Sequence, residues 1–193
     1  MNKSSISIYT EQTPNPNSLK FVLNRMLYND GSAEFTEELA QKHSPFAVHL
    51  YKIPYVNNVF IAKNFVTLSK NDSAEWYELI PEVKLEIQKF FEKEQVIISK
   101  ELKEILEKSK KDAIGSEGTV EERIESALDK YIRPAVEMDG GAVYLHSFDK
   151  GTVKLKLRGA CSGCPSSSIT LKSGIEGVLK RFIPEVEEVM EVE

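Results

Sequence analysis

Cysteine is scarce in this chain, two in 193 residues. That count excludes a secreted disulfide scaffold, which staples a small core with several bridges. Tryptophan occurs once and histidine three times. No apolar run approaches the roughly 20 residues that span a bilayer. Positive charge is not in excess: 25 Lys and Arg against 30 Asp and Glu leave a net charge of −5, the opposite of a nucleic-acid footprint. The opening Met1-Asn2-Lys3-Ser4-Ser5-Ile6 holds neither an apolar signal core nor Arg-rich transit character. The expected home is a reducing cytosol, most simply bacterial. What is present is ordinary for soluble globular protein, 41% hydrophobic and 28% charged. The length fits one large or two small domains.

The two cysteines stand three residues apart in Leu157-Arg158-Gly159-Ala160-Cys161-Ser162-Gly163-Cys164-Pro165-Ser166-Ser167. Upstream, Val153, Leu155 and Leu157 alternate with Lys154, Lys156 and Arg158, the pattern of a half-buried strand. Downstream, Pro165 suits a first helical position, and Leu171, Ile175, Val178, Leu179 and Phe182 recur at helical spacing. The thiols therefore fall in a strand-to-helix loop, with Cys164 at or near a helix N-terminus. The partial positive charge there favours thiolate. Gly159 and Gly163 turn backbone N–H groups toward the sulfurs, or serve the turn alone.

Such a pair closes a redox disulfide, chelates a metal or lies unused. An iron–sulfur cluster or closed zinc site wants four ligands, generally thiolates. One chain supplies two and a pair of chains supplies four, which implies a homodimer with the metal on its two-fold axis. A cluster shared in this way is released when the dimer opens, which suits temporary carriage. Two alternatives stand beside it. One is a thiol–disulfide oxidoreductase using Cys161 and Cys164, disfavoured because the pair follows a hairpin pattern rather than a β-α-β unit. The other is a zinc-bridged structural dimer.

The expected fold class is α+β in two small domains, the second a small mixed sheet packed with helices. Residues 1–95 read as the first domain, with a weak strand at 5–9, a strand at 19–23 and a turn at Asn29-Asp30-Gly31-Ser32. Short helices follow at 35–42 and 44–50. A hairpin of 59–61 and 65–68 is joined by Ala62-Lys63-Asn64. Asp72 or Ser73 caps a helix that carries Trp76 as a core anchor, and Pro81 marks a kink or a second start, at about 3 kcal/mol if kept inside. Residues 96–118 read as a mixed-sign helical linker with a glycine hinge; over 99–118, five lysines balance five acidic residues. Residues 119–193 form the second domain. Thr119 caps a helix that Arg133-Pro134 ends or bends. Asp139-Gly140-Gly141 turns on two successive positive φ angles. Val143, Leu145 and Ser147 alternate along a strand, and 185–193 is a charged edge strand. His43, His49 and His146 read as surface or core residues rather than ligands.

Gly159-x-Cys161-x-x-Cys164-Pro165-Ser166-Ser167, then Thr170-Leu171-Lys172-x-Gly174-Ile175-Glu176, with Arg133-Pro134 and Asp139-Gly140-Gly141 upstream, resembles the NifU-like C-terminal domain of the Nfu family over residues 119–193. Ala142 departs from the acidic residue common there, a change at a strand start that leaves the cysteines untouched. Thr13-Pro14-Asn15-Pro16-Asn17, Phe60-Ile61-x-Lys63-Asn64-Phe65-Val66-Thr67 and Trp76 resemble the domain that precedes it in many such proteins. The resemblance implies a cluster, usually [4Fe-4S], held by Cys161 and Cys164 of two protomers. It implies a non-enzymatic carrier whose partners are upstream assembly proteins and apo iron–sulfur clients, with no nucleic acid and no membrane.

Overall fold

The computed structural model describes residues 6–93, 96–113, 118–162 and 165–192. The chain divides into two units, Met1–Lys103 and Glu104–Glu193.

The first unit contains β1 (Ile8–Gln12), β2 (Ser18–Leu23), β3 (Tyr28–Phe35), α1 (Glu37–His43), α2 (Pro45–Leu50), β4 (Val56–Lys63), β5 (Phe65–Lys70) and α3 (Trp76–Glu92). The strands form one antiparallel sheet in the order β1-β2-β5-β4-β3. β2 is buried at every position. Its Lys20 is tolerated there because the ammonium pairs with Glu11 at 2.8 Å and lies 4.5 Å over the Phe65 ring. The expected β4–β5 hairpin closes more tightly than predicted: Ala62 pairs with Phe65, leaving Lys63 and Asn64 as the turn, with Lys63 at φ +41°.

Four sequence expectations fail here. The weak strand at 5–9 lies later, at Ile8–Gln12, and residues 1–5 are outside the described set. Asn29-Asp30-Gly31-Ser32 is not a turn between elements but a bulge inside β3, where the pairing slips between Tyr28 and Ser32. Gly and Asn mark strand irregularities as readily as they mark turns. Pro81 neither ends α3 nor begins a second helix. It lies on the exposed side, while Leu79, Val83, Ile87 and Phe90 are buried at helical spacing. Packing of that face outweighs a local cost of about 3 kcal/mol. The residue before this helix is Glu75, with no side-chain cap bond, rather than Asp72 or Ser73. Trp76 holds the helix start in place: its Nε1 donates to the Pro16 carbonyl at 3.0 Å, and its ring meets Phe21 edge-on at 6.2 Å.

Ser44 ends α1 and begins α2. Its buried Oγ accepts from Ala47 N–H at 3.0 Å and donates to the Ile97 carbonyl at 2.6 Å. Ser99 N–H donates to the His43 carbonyl at 2.7 Å, and Ile98 and Leu102 are buried. The first residues of the stretch read as a linker are therefore tied to the first unit. The mixed-sign helix is present as α4 (Lys100–Ala113). Of the expected glycine hinge at the end of that linker, residues 114–117 lie outside the described set; its last residue, Gly118, has φ +88°.

The second unit runs α5 (Val120–Ala127), a π-helical turn (Leu128–Ile132), α6 (Arg133–Met138), β6 (Gly141–Asp149), β7 (Thr152–Gly159), α7 (Pro165–Phe182) and β8 (Glu188–Glu191). Thr119 caps α5 as expected, its Oγ1 accepting from Glu122 N–H at 3.3 Å. Arg133-Pro134 does not end the helix. The chain widens into the π turn and resumes as α6, with Pro134 in the first turn, where its missing N–H costs nothing. Ile132 is buried, while Tyr131 is exposed and stacks on the exposed Phe182 at 4.5 Å.

β6 and β7 form an antiparallel hairpin whose two-residue turn, Lys150-Gly151, has φ +45° and +84°, as a type I′ turn demands. β8 pairs parallel to β7, so the order β6-β7-β8 puts β7 in the centre of a mixed sheet. This is the expected α+β class, and β8 is the expected edge. α7 is fastened to β8 by Glu176, which accepts from Val189 N–H at 3.1 Å and from Lys180. The Lys180 hydrogen bond, then the Val189 N–H, hold its carboxyl below the usual carboxylate range. The alternation expected along β6 breaks at His146. Leu145 pairs with Leu155 but Ser147 with Lys154, so His146 is the extra residue of a bulge. The slip turns Phe148 toward the core instead of Ser147.

Candidate functional site

β7 alternates without a fault from Thr152 to Gly159, placing Val153, Leu155 and Leu157 in the core. Gly159 ends it at φ +67°. The chain then turns tightly: Ser162 N–H donates to the Gly159 carbonyl at 3.1 Å, and Ala160 N–H donates to the Gly140 carbonyl at 3.2 Å. The second bond ties the thiol loop to the Asp139-Gly140-Gly141 turn. Cys161 follows directly. It is 5% exposed and belongs to the apolar core of this unit. Gly163 and Cys164, the other half of the predicted site, lie outside the described residues, as do the side chains of Ser166, Ser167 and Ser168. α7 begins at Pro165, so Cys164 immediately precedes the helix in sequence.

Because β8 is parallel to β7, the loop occupies the carboxyl end of the central strand in a β-α-β unit. Binding sites of open α/β sheets gather at such ends. The sequence pattern disfavours the redox alternative for want of a β-α-β unit, but the unit is present. The strand itself is expected at 185–193, but the local pattern gives no sign that it joins β7 in parallel.

Arg133 braces the loop's neighbourhood. Its Nε donates to the Val143 carbonyl at 3.1 Å, and its terminal nitrogens donate to Asp129 and Glu125. Burial works against the charge, but the two carboxylates more than restore it, and the guanidinium pKa lies above its ordinary value. The helical segment before the turn is thereby clamped to the strand that faces the loop. In the sequence, Arg133 stands out only as part of a motif, and its i,i+4 spacing from Asp129 is the available signal. The Asp139-Gly140-Gly141 pattern predicts positive φ at both glycines. Gly140 has φ +80°, but Gly141 is extended strand and is not among the positive-φ residues.

His43 and His49 have their partners within the first unit. His43 Nδ1 lies 3.0 Å from Ser99 Oγ, and His49 Nε2 lies 2.9 Å from a Glu86 carboxylate oxygen. His146 is exposed on its bulge, five residues along β6 from the Gly141–Gly159 pair, or about 15 Å at ordinary strand rise. Among the described residues, no three of His, Cys, Asp and Glu gather as a metal site, and no helix is long and apolar enough to cross a membrane.

Comparison with known proteins covers both units. The NifU-like domain family matches residues 124–190, and the family described as scaffold protein Nfu/NifU N terminal matches residues 8–94. A Drosophila willistoni protein named NFU1 iron-sulfur cluster scaffold homolog, mitochondrial, is 38% identical over 100% of this chain and 65% of its own length. The human protein of the same name is 39% identical over 96% of this chain and 71% of its own length. The chain thus spans about two thirds of the length of the curated relatives it matches. The solution structure of a NifU-like protein from Saccharomyces cerevisiae aligns with a TM-score of 0.44 at 29% identity, over 50% of this chain and 89% of that one.

The relatives correct the expected location. Both named proteins are mitochondrial, and the assignment to a bacterial cytosol does not stand. Two thiols argue only for a reducing compartment, and the mitochondrial matrix is reducing as well. With matches along both units and a relative more than one third identical across most of its length, the chain belongs to the Nfu/NifU scaffold family.

Proposed function

We propose that this protein receives an iron–sulfur cluster as cargo, holds it between two protomers and passes it to apo-proteins. Cys161 and Cys164 of each protomer are the ligands, and the cluster is [4Fe-4S]. The observation that carries the reading is the placement of the thiol loop. Cys161 lies two residues past the end of the central strand, and α7 starts one residue after Cys164. A helix N-terminus favours the thiolate that binds iron. The names of the relatives, which describe iron–sulfur cluster scaffolds, support the cargo.

The protein's chemical contribution is ligation without turnover. Four thiolates from two chains complete the coordination. Delivery is ligand exchange. As each acceptor thiolate forms its Fe–S bond, one bond to Cys161 or Cys164 breaks. The proton lost by the acceptor thiol leaves with the released cysteine or with buffer. Iron and sulfide keep their oxidation states, so no electron donor is needed. Because each protomer holds only two ligands, the two chains can part as the last bonds exchange.

Cluster transfer tests this directly. The cluster-loaded protein, mixed anaerobically with an apo-ferredoxin and an iron chelator, is expected to yield cluster-bearing ferredoxin as its own visible absorption fades. Iron found only in the chelator would contradict the carrier role.

A further inference from the structure

Gly141 opens β6 opposite Gly159, and no positive φ requires glycine there. What requires it is space. A Cβ at Gly141 would stand 2.6 Å from Cys161 Sγ, 2.7 Å from the Arg158 carbonyl oxygen and 3.2 Å from Cys161 Cβ. Unstrained carbon contacts lie near 3.5–4.0 Å, so the missing side chain is the volume that the sulfur fills. Gly174 and Gly177, in the middle of α7, contrast with it: a Cβ on either meets nothing within 4 Å.

We infer that Gly141 is the positioning residue for Cys161. Its bare Cα forms the floor of a recess in which the thiol rests, buried in the core, and from which the sulfur must swing to reach an iron. The resting position stands on geometry alone. The swing rests on the reading of Cys161 as a cluster ligand. The recess explains why a ligand cysteine is 5% exposed: without metal, the thiol is shielded from oxidants and alkylating agents until the loop opens.

The test follows alkylation in the full-length protein carrying Cys164→Ala, so that every modified thiol is Cys161. Under anaerobic native conditions, iodoacetamide is expected to modify Cys161 at least about 10-fold more slowly than in urea, because reaction waits on local opening. Adding Gly141→Ala expels the sulfur and raises the native rate several-fold. Adding Gly174→Ala leaves it unchanged. Equal rates in native buffer and urea, or no change with Gly141→Ala, would overturn the inference. The Arg158 carbonyl also crowds a new Cβ, and where Gly141→Ala folds poorly, thermal melts decide. Cys161→Ala, placed in the Gly141→Ala chain, is expected to restore part of the lost melting temperature, because it removes the sulfur that competes for the recess. No recovery would overturn the recess. Failure of the native protein to bind a cluster would instead sink the ligand reading and leave the alkylation result standing.

Discussion

Replacing either Cys161 or Cys164 with alanine is expected to abolish cluster uptake while the chain stays folded. The size of the effect comes from symmetry. In the proposed shared cluster, each substitution removes one ligand per chain, hence two of the four required. Two thiolates from each protomer are the whole of the proposed ligand set, and among the described residues no three of His, Cys, Asp and Glu gather as a metal site. The structural cost is smaller. Cys161 packs in the core beside Gly141, so its truncation costs about 1–2 kcal/mol, well inside a typical stability of roughly 5–15 kcal/mol. Iron and sulfide assays after anaerobic loading, beside circular dichroism of the same samples, separate the two consequences. A variant that still took up the wild-type complement of cluster would show that the ligand set is wrong.

The second large effect is on stability. Arg133→Ala is expected to destabilise the second unit by about 2–3 kcal/mol, because one truncation removes charge-assisted bonds to Glu125, Asp129 and the Val143 carbonyl. Partial burial decides the magnitude. The guanidinium side chain is 21% exposed and Glu125 is 18% exposed. By contrast, the Lys42–Glu38 pair has side-chain exposures of 62% and 80%, and removing it is expected to leave the melting temperature nearly unchanged. For a unit of this size, the Arg133 loss corresponds to a fall in melting temperature of about 10–20 °C. Arg133→Lys recovers only part, since one ammonium cannot reproduce a fork that reaches three acceptors. Far-ultraviolet circular dichroism follows both units, and fluorescence of Trp76, the single tryptophan, follows the first. A melting temperature within a degree or two of wild type would show that the clamp is incidental.

Local pattern made most of the candidate site legible. The faultless alternation of β7, the proline at the start of α7 and the helical spacing of Ile175 and Leu179 placed the thiols in a strand-to-helix loop, and the Cys161 side of that loop stands there. Family resemblance, not spacing, pointed to iron rather than zinc. What escaped the sequence was non-local or volumetric. The parallel partner of β7 depends on a pairing formed after α7 crosses the sheet. The bulges at Tyr28–Ser32 and at His146 each shift a register by an amount that composition does not encode. Ser44 looks like an ordinary cap until its bond to Ile97 is seen. The need for glycine at position 141 is a steric fact about a residue 20 positions away. Location failed for a different reason: two reduced cysteines are compatible with more than one compartment.

The measurement that bears most directly on the proposed carrier is the stoichiometry and mass of the loaded protein. After anaerobic incubation with iron and sulfide, the sample is freed of excess reagent and assayed for both, and its mass in solution is measured. The expected result is a brown dimer with about two iron and two sulfide per chain, one [4Fe-4S] cluster across two Cys161–Cys164 pairs. A monomer carrying a full cluster, or a colourless protein that binds only zinc, would contradict it.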